Sequence, residues 1–257
     1  MREVNLMPIR SIDRAIDILQ AFSIEHTSLT TKEISELTKI PASTVYRILC
    51  TLENRGFVQF IEEKSAYQLG LRLMEFSYLL SSTLDLGKEA EELLNELHHK
   101  TKQTVVMAVK DGDEILYVYK KENHEGLKFS SHVGQRRPFL YGILGPMILA
   151  YLPQSYIDRI IETSNIQHTP YSIMDKEAWR TRLHEIKKRK IYVESNETNI
   201  GVTGVGAPIF DVSNEVIAAI GVLGPAIQID NKLNEIMEIT LETSKKISQR
   251  MGHNQVT

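Results

Sequence analysis

The sequence predicts an α+β protein of two unequal domains, and three observations predict it. The first seventy residues place apolar side chains at helical spacing and then close on a short hairpin pattern. Residues 71–101 read as mostly helical. From Gln103 onward, β-rich runs interleave with helical ones and are joined partly by hairpin turns, which points to a mixed sheet domain. A chain of 257 residues is long for one domain and sufficient for two.

Each element has its own signal. Ile9, Ile12, Ile16 and Leu19 mark a helix over 9–24, with Ser11 near its start as a candidate cap. Thr30 and Glu33 form a capping-box pattern ahead of Ile34 and Leu37, announcing a short second helix. After Lys39-Ile40, Pro41 suits the first turn of a third helix, where its missing N–H has no partner to lose. There Val45, Ile48, Leu49 and Leu52 fall at i, i+3, i+4 and i+7, one buried stripe, and Gly56 supplies a left-handed stop. Phe57–Phe60 and Ala66–Leu69 are strands around the polar turn Glu62–Ser65. Three helices and a hairpin within 1–70 make a winged helix-turn-helix.

Residues 71–101 form a helical linker broken near 81–87, with Leu86, Ala90, Leu93, Leu94 and Leu97 on one side of its second piece. The second domain, 102–257, opens with strands at Thr104–Val109 and Glu114–Tyr119 about an Asp111-Gly112 turn. Helices follow at Leu144–Leu152 and Tyr156–Ile161. Another starts at Asp175 and ends in the basic run Lys187-Lys188-Arg189-Lys190. Ile191–Val193, Val202–Phe210 and Val216–Leu223 are strands, the last two joined through Ser213-Asn214. A final helix from Asp230 to about Arg250 shows Leu233, Ile236, Met237 and Leu241 on one face. No internal repeat and no low-complexity tract interrupts the pattern.

Composition bounds the function. Apolar residues at 42% and charged residues at 25% describe a soluble globular chain with a full core. Cys50 is the single cysteine, which excludes an internal disulfide and fits a reducing cytoplasm. The start MREVNLMPIRSIDR has no signal-peptide apolar run. No stretch approaches the roughly 18 uncharged apolar residues of a spanning helix. A cytoplasmic protein with no membrane partner is therefore expected. The net charge of −3 neither demands nor excludes an anionic partner.

With its stripe buried, the third helix turns Ser43, Thr44, Tyr46, Arg47 and Thr51 outward or onto its flanks. A helix fits the DNA major groove, where arginine pairs with guanine and hydroxyls reach phosphates or bases. The alternative is a solvated face on a small three-helix unit. Residues 1–64 hold eight basic against nine acidic side chains, so one copy should bind a polyanion weakly and a DNA reader should work as a dimer.

The other constellations are weaker. No base stands near Cys50, and no HxxxH or HExxH occurs among the eight histidines, so no catalytic residue, metal or cofactor is expected. Gly201-Val202-Thr203-Gly204-Val205-Gly206 lacks the Lys-Ser/Thr of a phosphate loop and runs into a strand. With Gly221 and Gly224-Pro225 it either floors a small-molecule cavity or packs tightly under a helix.

In order and spacing the chain resembles the IclR-type transcriptional regulators over nearly its whole length. The resemblance is carried by SIDRAIDIL (11–19), LTTKEISELTKIPASTVYRILCTLENRGFV (29–58) and YQLGLRLMEF (67–76), then VGQRRPFLYGILGPMILAYLP (133–153), GVTGVGAPIFD (201–211) and AAIGVLGP (218–225). It implies a winged helix-turn-helix followed by a GAF-like sensor domain. Such a protein would be a homodimer, or a dimer of dimers, that binds a double-stranded operator under control of a small-molecule effector, with repression the default. It places Thr31, Lys32, Ser43, Thr44, Tyr46, Arg47 and Thr51 on the DNA side, and Phe129, Ile143, Leu144, Glu194, Gly204, Gly221 and Leu223 around the effector.

Several positions depart from the family pattern. Gly204 replaces a frequent cysteine, and Gly221 and Leu223 replace serines. Leu140, Gly142 and Pro146 stand where a histidine, a small hydroxyl and a lysine are usual. With fewer donors for an acid, the site is expected to have room for a larger or less polar ligand. The resemblance further implies that effector binding shifts the DNA-binding domains through 71–101. The alternative, a metabolite-processing enzyme with a winged-helix appendage, calls for a nucleophile, metal set or phosphate loop in 103–257, and the sequence offers none.

Overall fold

The computed structural model describes residues 9–83, 85–122, 131–164 and 168–253, and the chain divides into two compact units, Met1–Thr83 and Leu84–Thr257.

The first unit contains α1 (Arg10–Gln20), β1 (Ser28–Leu29), α2 (Thr31–Thr38), α3 (Ala42–Asn54), β2 (Val58–Ile61), β3 (Ala66–Leu69) and α4 (Arg72–Thr83). The capping box at α2 is closed in both directions. Thr30 Oγ1 accepts from the Glu33 N–H at 3.2 Å, and Glu33 Oε2 accepts from the Thr30 N–H at 2.7 Å. Lys39 ends α2 in the left-handed region (φ 59°), so α3 can start after only two more residues. Pro41 is the cap residue just before α3, one position earlier than expected; its carbonyl accepts from the Thr44 and Val45 N–H groups. Gly56, at φ +74°, ends α3 as its composition requires. Ile18, Leu29, Ile34, Ile40, Val45, Leu49, Val58 and Tyr67 form the core, with Ile48 and Leu52 packed against it.

Two details of α1 differ from the sequence reading. The helix ends at Gln20, and Ser11 lies inside it, because Ile9 takes the cap position without a side-chain hydrogen bond. Ile9, Ile12 and Ile16 are also largely exposed, at 64%, 53% and 46%; the buried anchor is Ile18. The hairpin β2–β3 pairs Val58 with Leu69 and Ile61 with Ala66, and the short β1 adds a third strand against β3.

The second unit contains α5 (Asp85–Thr101), β4 (Thr104–Asp111), β5 (Glu114–Lys121), β6 (Arg136–Pro138), α6 (Leu144–Leu149), α7 (Gln154–Thr163), α8 (Lys176–Arg189), β7 (Tyr192–Ser195), β8 (Val202–Phe210), β9 (Val216–Pro225), α9 (Ala226–Ile229) and α10 (Leu233–Arg250). Its sheet runs β6-β5-β4-β9-β8-β7, with every pairing antiparallel. Alternate residues of β4 face opposite sides, as a sheet covered on both faces demands. Val106 and Ala108 pack with α6, α7 and α8, whereas Val105 and Met107 pack with α5 and α10. The stripe Leu86, Ala90, Leu93, Leu94 and Leu97 is thus core of the second unit. The second half of the expected linker folds with the sheet domain because its apolar side has the sheet and α10 to bury against.

Candidate nucleic-acid interface and effector site

In the first unit, α3 displays Ser43, Tyr46, Arg47 and Thr51 as exposed side chains, with Thr44 half-buried. Tyr46 shares a hydrogen bond with Cys50 one turn on, which pushes the phenol above its ordinary pKa. Thr51 donates its hydroxyl to the Arg47 carbonyl at 3.0 Å, so toward a ligand it can only accept. On α2, Thr31 is half-buried, and exposed Lys32 approaches Glu36 at 3.9 Å.

The structure adds two residues that the sequence reading passed over. Arg10, Arg14 and Arg47 line one open cleft of about 430 Å³ together with Ser11, Thr44 and Thr51. Arg10 and Arg14 are one turn apart on α1, which brings both guanidiniums to the side where α1 meets α3. Among the described residues none of the three is held by a carboxylate. A domain that is near neutral in total thus gathers three of its arginines beside α3. The i, i+4 arginine spacing was the available signal; what it could not show is that α1 and α3 pack side by side.

In the second unit, the start of α6 sits on the strand pair β8–β9. Gly204 lies opposite Leu223 and Gly206 opposite Gly221, so of these four only Leu223 carries a side chain. Ile143, 2% exposed, fills this glycine patch. A Cβ on Gly221 would come within 2.4 Å of Ile143 Cδ1 and 3.0 Å of Leu144 Cδ2. A Cβ on Gly204 would come within 2.8 Å of both Ile143 Cγ2 and Leu223 Cδ2. Among the described residues no larger chamber therefore stands over Gly204, Gly221 and Leu223, contrary to expectation. The space released by the small residues is taken up by an isoleucine, and of the two readings of these glycines, tight helix-on-sheet packing holds.

A separate hollow opens next to this plug, between Leu140, Gly142, Trp179, Tyr192, Glu194 and Thr198. Its enclosed volume is about 10 Å³, about enough for one water. Glu194, expected from the sequence, lines it and is 4% exposed. Its Oε1 accepts from the Thr198 N–H at 2.7 Å. Burial raises the carboxyl above its ordinary pKa, against the lowering effect of that hydrogen bond.

The loop that follows β7 is latched on both sides. Thr198 Oγ1 accepts from the Gly142 N–H at 3.0 Å, while Ser172 Oγ donates to the Glu197 carbonyl at 2.7 Å. Arg182 Nη1 donates to Glu197 Oε2 at 2.5 Å and to the Tyr192 hydroxyl at 3.1 Å, so this cation is already committed. Burial also lowers the pKa of His168 at the rim. The hollow thus presents a buried acid and no uncommitted lysine or arginine. Phe129, the remaining expected effector residue, lies outside the described residues. Among the described residues no group of three or more His, Cys, Asp or Glu side chains is placed to hold a metal ion, and no helix is long and apolar enough to cross a membrane.

Comparison with known proteins agrees with this architecture. Residues 11–61 match the IclR helix-turn-helix domain, and residues 78–249 match the bacterial transcriptional regulator IclR C-terminal domain. The HTH-type transcriptional regulator XynR of Escherichia coli is 27% identical over 250 residues, covering 96% of this chain and 99% of XynR. KipR of Bacillus subtilis, also an HTH-type transcriptional regulator, is 28% identical, covering 95% of this chain and 98% of its own length. The crystal structure of an IclR homolog from Microbacterium hydrocarbonoxydans, complexed with 4-hydroxybenzoate, superposes with a TM-score of 0.87 at 22% identity, covering 94% and 98% of the two chains. The winged first unit, the two-faced sheet of the second and these matches together show that the chain belongs to the IclR family of bacterial transcriptional regulators.

Proposed function

We propose that the protein is a cytoplasmic, effector-controlled repressor that binds its operator as a dimer, placing α3 in the major groove. The observation that carries this reading is the arginine cleft between α1 and α3. Arg47, with Tyr46 and Ser43, reads base edges, while Arg10 and Arg14 hold flanking phosphates. Replacing Arg47 and Tyr46 together by Ala should cost about 1–3 kcal/mol for each base-edge interaction removed. Arg10→Ala and Arg14→Ala should each lower the slope of log K against log salt by about 1. Fluorescence anisotropy on DNA upstream of its own gene measures both. Affinity and salt slope unchanged in all of these variants would defeat the proposal.

The effector inserts one polar group into the hollow beside Glu194, and the rest of it extends through the open side. A carboxylate there would face a buried acid, and the nearest guanidinium, Arg182, is already paired, so the site favours a neutral molecule that donates hydrogen bonds through a hydroxyl or amide. The signal is transduced without turnover, through α5 and the rest of 71–101. Trp179, the single tryptophan, lines the hollow and should report binding by its fluorescence. In a panel of small alcohols, amides and acids, the neutral donors should quench it more strongly than the acids. Acids binding best would overturn this choice of ligand class.

A further inference from the structure

A second hollow in the sensor unit is built around a buried imidazole nitrogen that has no hydrogen-bond partner among the described residues. It lies where β8 ends, walled by Phe210, Leu241 of α10 and His253, with Lys190 and Lys245 at its edge. Counting along β8 from Gly204, which pairs with Glu194, Phe210 lies six residues on. At about 3.3 Å per residue this places it roughly 20 Å from the hollow beside Glu194.

His253 is 7% exposed, and among the described residues its buried Nε2 has no hydrogen-bond partner. The ring is fixed there: it stacks on Phe210 with centroids 5.1 Å apart, and the His253 N–H donates to the Ser248 carbonyl at 2.9 Å. The serines lining the hollow are already engaged. Ser244 Oγ donates to the Pro208 carbonyl. Ser248 Oγ donates to the Ser244 carbonyl at 2.8 Å and accepts from the Phe210 N–H at 3.0 Å. Lys190, at the C-cap of α8, holds its ammonium 5.4 Å from the Phe210 ring centroid. Among the described residues neither Lys190 nor Lys245 is paired with a carboxylate, and no acid lines the hollow.

A buried polar atom left without a partner is costly, and in a native structure it calls for an occupant. Here the surroundings are two ammonium groups, an imidazole and an aromatic wall. We propose that this hollow binds the oxyanion of a small molecule, a carboxylate or a phosphate. The His253 Nε2–H and the ammoniums of Lys190 and Lys245 donate to it, and Phe210 and Leu241 form the apolar wall. The enclosed part of the hollow is about 20 Å³, space for one oxygen of the head group, so the remainder of the ligand extends through the open mouth. The basic run that closes α8 thereby contributes one of its lysines to an anion site, giving the sensor unit a ligand input independent of the hollow beside Glu194.

The test uses the full chain. Long-range ¹H–¹⁵N spectra of the histidine side chains are followed while inorganic phosphate or benzoate is added, with chloride at matched ionic strength as the reference. The His253 signal is identified by its loss in His253→Gln. It should shift saturably with phosphate, benzoate or both, and the Lys190→Met/Lys245→Met double variant should bind about tenfold more weakly or worse, the scale of one charge-assisted hydrogen bond. Saturation with phosphate alone identifies a phosphorylated ligand, and with benzoate alone a carboxylate. No saturable shift with either probe, or saturation untouched by the lysine exchange, overturns the proposal. Trp179 fluorescence in urea checks that the variants remain folded.

Discussion

If Ile143 is the plug over the glycine patch, Ile143 and Gly221 should be energetically coupled, and the structure sets the sign. Ile143→Ala removes all the side-chain atoms that reach Gly204 and Gly221 beyond Cβ, from a residue that is 2% exposed. Such truncations cost about 2–5 kcal/mol, the upper range applying where neighbours cannot collapse. Gly221→Ala instead inserts a methyl 2.4 Å from Ile143 Cδ1, and overpacking of this kind costs about 1–3 kcal/mol. In the double variant the new methyl occupies space that the isoleucine has left. The pair should then be less destabilised than the sum of the singles by about 0.5–3 kcal/mol. Urea unfolding followed by Trp179 fluorescence reads the second unit directly, because the single tryptophan is buried there. With a slope of about 2 kcal/mol per molar urea, Ile143→Ala should lower the midpoint by about 1–2.5 M. Strictly additive effects, or a Gly221→Ala variant as stable as the wild type, would show that Ile143 does not fill this patch in solution.

Three further outcomes follow from particular side chains. Glu194 is a carboxyl with a raised folded pKa, so its contribution is intact below the unfolded value near 4.5 and is lost as pH rises through the folded value; relative to wild type, Glu194→Gln should therefore gain stability as pH increases across that window. Asp113 has the opposite sign: the Arg159 guanidinium and the Tyr156 hydroxyl hold its carboxyl well below the usual 3.8, so its contribution is present above that pH and disappears on acidification, and Asp113→Asn should flatten the acid limb of the stability curve. Thr30→Ala opens the capping box of α2 and should destabilise the first unit by about 0.5–2 kcal/mol, measured by far-ultraviolet circular dichroism because that unit has no tryptophan.

What the sequence made legible was whatever depends on neighbours within a few residues. The Thr30–Glu33 box, the Gly56 stop, the Asp111-Gly112 turn and the Asp175 cap are local chemistry, and all are present. The strand limits Val202–Phe210 were equally readable, since Gly201 on one side and the polar stretch Asp211 to Asn214 on the other bound a β-rich run. What failed to show was three-dimensional juxtaposition. β6 is three residues long, and Arg136-Arg137-Pro138 carries no strand signal; it exists because β5 offers a free edge. The glycines of β8 and β9 were visible, but whether the space beside them is empty depends on which side chain of the α6 start points down. Small residues announce close approach without naming what approaches. The same holds for Arg10 and Arg14, whose significance depends on α1 lying against α3.

The first helix is the sharpest case, and it bears on the proposed dimer. Ile9, Ile12, Ile16 and Leu19 define one apolar stripe at helical spacing, but of these only Leu19 packs against the core, beside Ile18 and Phe22. Periodicity cannot decide between two apolar faces of one helix. A lone domain gains nothing from keeping three isoleucines about half exposed or more, whereas a second copy covering them would bury them and set two α3 helices at a fixed spacing, which a near-neutral domain needs for phosphate contacts to suffice. Ile12→Asp/Ile16→Asp should therefore leave the fold of each unit intact while weakening operator binding by more than the roughly tenfold that a change of two charges near a phosphate surface accounts for. Charge and burial are separated by Ile12→Asn/Ile16→Asn, which should weaken binding nearly as much. Anisotropy against single half-site DNA completes the test: the asparagine variant should bind a half-site as the wild type does and lose only the advantage of the full site. Equal losses on half-site and full site would place these isoleucines at the DNA rather than at a second copy.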